Sequence, residues 1–496
     1  MKKTIPSLLT ALLLAGTLIF SACGGGDADG AAETTTTPAD IPEETTEPTE
    51  TRLTSLPETM DFGGAEISIL CRENEANTSY INEIGVLEES GDVLNDAIYQ
   101  RNRSVEKRLN VVVNPINMDG YWSNQTAFMD KVRESVTSGD GTYDIVVGYA
   151  AYIPALAVEG MLLNLTGAPH IELDNPWWNK DIIESSSVAG RSYFLAGDIG
   201  LSYMNSTFII YYNKQIAESL GIDDIYDTVK DGAWTRERVS ADCRAAADDM
   251  NGDGILNFND DRMGYVTNHT NEFMSAFGIR LTKHEGGIPK WDFNMDKLSD
   301  IAAWTCAFYY ETEGVAPLDK ISVTHEHALR CFAEGRSLYY CSHLGRMLYL
   351  RDMTDDFGVL PLFKWDEAQE EYSTRTADSI SLFCVPAACK NFEAVAAAME
   401  ALGEEGYYSV LPAYYDVSLL VKYVRDDESA EMLKLARKNV MFDFDITFGN
   451  MLGTLNLLND LAKTKNANFA SYHASKINGW EANLSKSVDT ILALDA

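Results

Sequence analysis

Basic residues are scarce in this chain of 496 residues: 39 Lys and Arg stand against 75 Asp and Glu, a formal charge of −36. Such a field repels nucleic acid and anionic lipid headgroups, so no nucleic-acid partner is expected. It does not argue for a cationic ligand, because acidic surfaces mostly keep proteins soluble. Cysteines are few and unordered. There are eight, and setting Cys23 aside leaves Cys71, Cys243, Cys306, Cys331, Cys341, Cys384 and Cys389, an odd set with no CxxC pair. Buried free thiols are the preferred reading. A Cys331–Cys341 or Cys384–Cys389 disulfide stays open, since spacing alone does not decide it. Recognisable catalytic motifs are also missing: no nucleophile elbow, P-loop, GxGxxG or HExxH occurs. His325-Glu326-His327 has the wrong spacing to put two ligands on one helical face. A hydrolase using two carboxylates needs only a pair of acids, but nothing local selects one pair. The expectation is a protein that is not an enzyme.

Long apolar runs are limited to one, Leu8 to Phe20, preceded by Lys2 and Lys3 and followed by Ser21-Ala22-Cys23-Gly24. It is short for a membrane-spanning helix, which needs about 20 residues. Basic start, apolar core and small residues at a cleavage point make residues 1–22 a secretory signal. Cys23 stands where a bacterial lipoprotein carries its lipidated cysteine, which predicts a lipid anchor on the outer face of the cell membrane. A soluble secreted protein cut near Ala22 is the alternative. Residues 23–60 then read as the anchored cysteine and a disordered linker. The stretch TTTTPADIPEETTEPTET has almost nothing apolar to bury and stays extended through its Pro and acidic residues.

The remaining roughly 440 residues are long enough for two or more domains. Residues 65–71 alternate as a strand. Residues 92–109 place Leu94, Ala97, Ile98, Val105 and Leu109 on one helical face. A strand follows at Val111–Val113, ended by Asn114-Pro115, then an amphipathic helix with Phe128, Met129, Val132 and Val136 inward, then a strand at Asp144–Val147. Alternating strands and helices predict a parallel sheet with crossover helices. In such sheets ligands sit beyond the carboxyl ends of the strands, which singles out the segments after Cys71 and Val147. Strand-like runs recur at 337–341, 357–362 and 379–385, and the chain is helix-rich from about 428.

Several segments, in order, resemble extracellular solute-binding proteins of carbohydrate (maltose-binding-like) ABC importers. They are GDGTYDIVVGYAAYIPALAVEGMLLNL at 139–165, NPWWN at 175–179, GRSYFLAGDIGLSYMNSTFIIYYNKQIAESLGI at 190–222, GAWTRERV at 232–239 and FGVLPLFK at 357–364. NPWWN and ESGDVLNDAIYQRNRSVEKRLNV at 89–111 are similar to a branch common in gut Firmicutes-type bacteria. The resemblance spans nearly all of 61–496 and is specific through the order of its motifs. It implies an α/β, two-lobe, periplasmic-binding-protein-like (type II) fold with hinge crossings and a ligand cleft. Lobe one would be 61–197 plus 364–406, and lobe two 198–363 plus 413–496. The implied function is that of a monomeric substrate-binding lipoprotein that closes on a sugar or oligosaccharide and delivers it to separate ABC permease subunits. A surface carbohydrate-binding protein or a carbohydrate-active hydrolase, not coupled to transport, is the alternative.

The sharpest local motif is DMNGDGILNFND at 249–260. Oxygen side chains at Asp249, Asn251 and Asp253, Gly254 at the bend, the carbonyl of Ile255 and the carboxylate of Asp260 follow the ligand spacing of an EF-hand-type loop. A structural Ca²⁺ is expected, against the simpler reading of a polar Asn/Gly turn.

Sugars are held by aromatic faces and by planar polar groups that bond hydroxyls. Glu73 and Asn74 follow the first strand, and Tyr149 and Tyr152 the Asp144–Val147 strand. Asp198, Tyr203 and Asn205 lie in the first expected crossing. Trp177 and Trp178 either stack on a sugar or staple the lobe, with Trp178 the candidate. His343 and Arg346 follow the SLYYC strand, Arg375 and Asp378 precede a lobe-one strand, and Tyr414 and Tyr415 follow the third crossing.

Overall fold

The structure, a computed structural model, describes residues 52–73, 82–222, 224–267, 269–318, 326–415 and 426–494. The signal segment, Cys23, most of the linker, Asn74 and His325 lie outside the described residues. The strands are β1 (Ala65–Glu73), β2 (Val111–Asp119), β3 (Ile145–Tyr149), β4 (Phe208–Asn213), β5 (Met263–Val266), β6 (Thr282–Glu285), β7 (Ile288–Trp291), β8 (Ser337–His343), β9 (Phe357–Leu360) and β10 (Ser381–Cys384). They make two four-stranded sheets, ordered β10-β3-β1-β2 and β5-β8-β4-β9, and a two-stranded β6-β7 hairpin.

Alternation of side chains gives each sheet two cores. In β1, Ile67, Ile69 and Cys71 face one and Leu70 the other; in β4, Phe208, Ile210 and Tyr212 oppose Ile209 and Tyr211. The parallel sheet expected from sequence holds for β1, β2 and β3, while β10 joins β3 antiparallel. In the second sheet β4 pairs antiparallel with both β8 and β9. The helix Val93–Leu109 forms where its periodicity predicts. Asp92 caps it, accepting from the amides of Leu94 and Asn95, and Asn110 ends it in the left-handed region at φ 49°.

Three expectations need correcting. β2 does not end at Asn114-Pro115 but runs to Asp119, with Pro115 opposite Ile69. β2 is an edge strand, where a residue without an N–H sacrifices no ladder bond. Residues 54–60 are not free linker. Leu56 is buried, and Arg108 donates to Thr54 Oγ1 and to the carbonyls of Leu56 and Pro57.

The third correction concerns the halves. The chain leaves the first sheet's core between Ile199 and Leu201. It returns between Ala377 and Ile380, not at 364, so residues 364–377 stay with the second sheet. After the passage between Leu402 and Val410, the segment 413–496 divides. Ala436 packs with the second sheet, Phe442 to Leu452 with the first, Leu457 to Trp480 with the second, and Leu484 to Ile491 with the first again. The connecting segments also pair with one another through bridges at Thr207–Thr376 and Thr374–Val440.

The thiols follow the bland reading. All seven described cysteines are free, and all are buried except the half-buried Cys389. Among the described residues no helix is long and apolar enough to cross a membrane.

Candidate functional site

A cleft of about 350 Å³ takes its walls from both halves. The first half contributes Tyr121 and Trp122, just past the carboxyl end of β2, and Tyr149 at the end of β3. Tyr121 and Trp122 expose 41% and 42% of their surface, so their faces are available to a ligand. Tyr149 is held from two sides. Tyr121 meets it edge-on at 6.3 Å between ring centres, and the Arg72 guanidinium lies 3.7 Å from its centroid. A cation that close to a ring face is attracted by the ring's quadrupole and fixes its orientation.

The second half contributes His269, just past β5, and His343, the last residue of β8. Their rings stand 5.2 Å apart, and both meet Phe208 edge-on, at 5.1 and 4.6 Å. Asp378 and Ser379 line the cleft from the returning segment, and Asn450 and Asn456 from the C-terminal helices. Burial raises the Asp378 carboxyl above its usual range, while the charges of Arg375 and Arg72 pull it back. Three residues after His269, Glu272 is fully buried against the Cys341 thiol, and desolvation pushes its carboxyl up to about 7, with Arg375 opposing. Chemically this is a surface of aromatic faces, amides, imidazoles and one carboxylate. It suits a neutral polyhydroxylated molecule. Among the described residues that line the cleft, Asp378 is the one carboxylate.

Of the residues singled out from sequence, the cleft brings together Tyr149, His343 and Asp378. The other described candidates are elsewhere, and Asn74 lies outside the described residues. Tyr152 is core, its hydroxyl donating to the Gly120 carbonyl at 2.9 Å. Trp178 is buried and donates from Nε1 to Glu400 at 2.8 Å; Trp177 is fully buried beside it, so the pair staples the fold. Asp198 is buried and accepts from the Tyr203 hydroxyl at 2.6 Å, and desolvation raises its carboxyl to about 6. Tyr203 and Tyr415 face a different cavity, with Arg437. The Tyr414 hydroxyl donates to Asn205 at 3.1 Å, which uses both groups internally. Arg346 lies beside Tyr349, and Arg375 is buried, donating from Nε to the Thr376 carbonyl. Glu73 closes β1, its carbonyl accepting from Gly120.

Tyr121, Trp122, His269, Ser379, Asn450 and Asn456 were not anticipated. The rule that ligands sit beyond strand ends would have found the first two had β2 been read past Pro115. The same rule finds His269 once β5 is recognised.

The 249–260 loop closes on itself. Asp249 accepts from the amides of Gly252 and Gly254 at 2.8 and 2.7 Å, Asn251 from Asp253, and Asp253 from Ile255. The carboxylate that folds back is Asp261, not the exposed Asp260. Fully buried, Asp261 accepts from the amides of Met250 and Asn257. Among the described residues no group of three or more His, Cys, Asp or Glu side chains is placed to share a metal ion.

No family model matches the chain, and no curated protein matches its sequence. Solved structures match over most of its length. UspC of M. tuberculosis shares 13% identity at a TM-score of 0.55, covering 84% of this chain and 100% of its own. An extracellular solute-binding protein from Staphylococcus aureus in complex with maltose shares 13% at 0.53, covering 86% and 97%. The galacto-N-biose/lacto-N-biose I-binding protein of an ABC transporter from Bifidobacterium longum, in complex with lacto-N-biose, shares 16% at 0.51, covering 88% and 99%. At these identities the likeness is one of fold, and it places the chain in the two-lobe, type II binding-protein architecture.

Proposed function

We propose that this protein captures a sugar or oligosaccharide in the cleft between its two halves and hands it, unaltered, to the permease of an ABC importer. The observation that carries the reading is the composition of the cleft. Exposed Tyr121 and Trp122 offer stacking faces beside the buried Tyr149, and Asp378, Asn450 and Asn456 line the same cleft as hydroxyl partners. Carbohydrate C–H faces pack on aromatic rings while planar polar groups take the hydroxyls. A ligand touching both walls binds the closed arrangement better than the open one and shifts the equilibrium towards it. The solved neighbours of the same fold that carry maltose and lacto-N-biose support the ligand class. Secretion through residues 1–22 and a lipid at Cys23 fit a receptor held at the outer membrane face, and the resemblance implies a monomer.

Trp122 at the cleft rim is the natural reporter. Titrating the full chain with a panel of mono- and oligosaccharides is expected to change Trp fluorescence saturably, with the sugar recovered intact. No response across the panel, or appearance of cleaved sugar, overturns the reading, the latter in favour of a hydrolase.

A further inference from the structure

The cleft is one place where the two halves meet; a second lies at the β6-β7 hairpin. This hairpin turns through Gly286 and Gly287, at φ 61° and 80°, the two left-handed positions of a tight two-residue turn. Its base belongs to the second sheet's core through Leu281. Its outer side lies on the first half, against the helix Lys180–Ser186 and the turn after it. Arg280 Nη2 donates to both carboxylate oxygens of Asp181, at 3.0 Å each. His284 Nε2 lies 2.9 Å from the Ser187 carbonyl, and the Ala189 amide donates to the Gly287 carbonyl at 2.8 Å. Asp181 also accepts from the Phe442 amide at 2.6 Å, which draws in the segment that passes between the halves. Asp443, next along, accepts from Leu281 and Thr282 at the root of the hairpin.

The C-terminal helix Phe469–Ala493 makes the same connection through apolar packing. Phe469 and Trp480 are buried in the second sheet's core, Leu484, Val488 and Ile491 in the first's. At 1.5 Å per residue its 25 residues form one rod of about 37 Å. A continuous helix does not bend at a hinge without a break in its ladder, and no proline interrupts this one. Relative rotation of the halves must therefore pull one end of the rod out of its core, slide it there, or bend it at Gly479.

We infer that the hairpin and the C-terminal helix form a clasp that fastens the two halves independently of any ligand, and that opening the cleft requires the clasp to yield. This rests on the two-half architecture and not on the identity of the ligand. Its consequence for the proposed receptor is that hinge motion on sugar binding must work against these contacts, which the ligand's differential affinity has to offset.

Hydrogen exchange of the full chain without sugar tests it. In the wild type the Ala189 amide and the hairpin amides of 282–291 are expected to exchange as slowly as a structured element, not at loop rates. Arg280→Gln, at a half-exposed position where ion pairs are weak, is expected to speed them about threefold. Asp181→Ala, which also strips the Phe442 amide of its acceptor, is expected to speed them about tenfold. Val488→Ala should act in the same direction from the helix end. X-ray scattering of the same variants should show a larger radius of gyration than the wild type. Amides of β1 and β4 serve as the fold control. Should Asp181→Ala lose that protection, the milder Arg280→Gln decides. Loop-rate exchange in the wild type, or variants that leave exchange and size unchanged while β1 and β4 stay protected, overturns the clasp. A sugar panel that gives no response would sink the transport reading and leave this result standing.

Discussion

The cleft between the sheets and the loop at 249–261 are both rich in oxygen-bearing side chains, yet they differ in what those atoms bond. The loop is a single stretch of chain whose Asp249, Asn251, Asp253 and Asp261 accept from amides within the same stretch. The cleft draws on segments more than three hundred residues apart, from Tyr121 to Asn456, and presents exposed aromatic faces and side-chain amides to the space between them. A spacing motif reports local closure. A binding surface is a product of topology, visible only once the strands are in order.

The sharpest test on the cleft side is electrostatic, because Glu272 carries a desolvation cost. Glu272 is fully buried beside the Cys341 thiol, with its carboxyl raised from 4.5 to about 7. Below the unfolded value both states are protonated and no penalty exists. As pH rises from there through the folded value, the unfolded chain releases its proton first, and native stability falls. The loss amounts to about 3 kcal/mol once pH exceeds 7. Glu272→Gln should therefore gain on the wild type as pH is raised from about 5 to about 8, read by urea unfolding. An unchanged difference across that range would mean that the carboxyl is solvated in solution.

Asp261→Ala addresses the loop. Two amides, of Met250 and Asn257, lose a buried acceptor, which should cost about 2 kcal/mol of stability. Sugar affinity should not change, since the loop contributes nothing to the cleft lining. Trp122→Ala is expected to do the reverse. Its ring is 42% exposed, so stability should hold within about 0.5 kcal/mol. Affinity for the responding sugar should drop about tenfold by calorimetry. If both variants lose affinity, the two regions are coupled and the contrast fails.

How much of this was legible beforehand depends on the range over which each feature is determined. β1, the helix Val93–Leu109 and β3 follow from local periodicity, and they appear within a few residues of the expectation. The two-lobe fold followed from the order of motifs. Three cleft residues, Tyr149, His343 and Asp378, followed from their place at strand ends. What escaped was non-local. Pro115 looks like a strand terminator until β2 is known to be an edge, and that single misreading hid Tyr121 and Trp122. Trp178, Tyr152 and Tyr414 carry the right chemistry for a sugar, but partners such as Glu400, Gly120 and Asn205 claim their polar atoms. Asn450 and Asn456 reach the cleft only because the last hundred residues pass repeatedly between the two cores, which no helical pattern reveals.

The smallest expected effect is that of calcium. The spacing from Asp249 to Asp260 suits a hard cation, and occupancy would stabilise the fold by mass action, by about 2.7 kcal/mol at a hundredfold excess over the dissociation constant. As folded, however, Asp249 already receives the Gly252 and Gly254 amides, and Asp261 is turned to Met250 and Asn257. A cation would have to gather at least one further carboxylate, and the position that the spacing offers, Asp260, is exposed. Chelator and added calcium should then shift the melting temperature by less than about 1 °C. A rise of several degrees with calcium, lost in Asp253→Asn, would show that the loop rearranges around an ion. The comparison would then be redrawn, with two regions completed by something from solution instead of one.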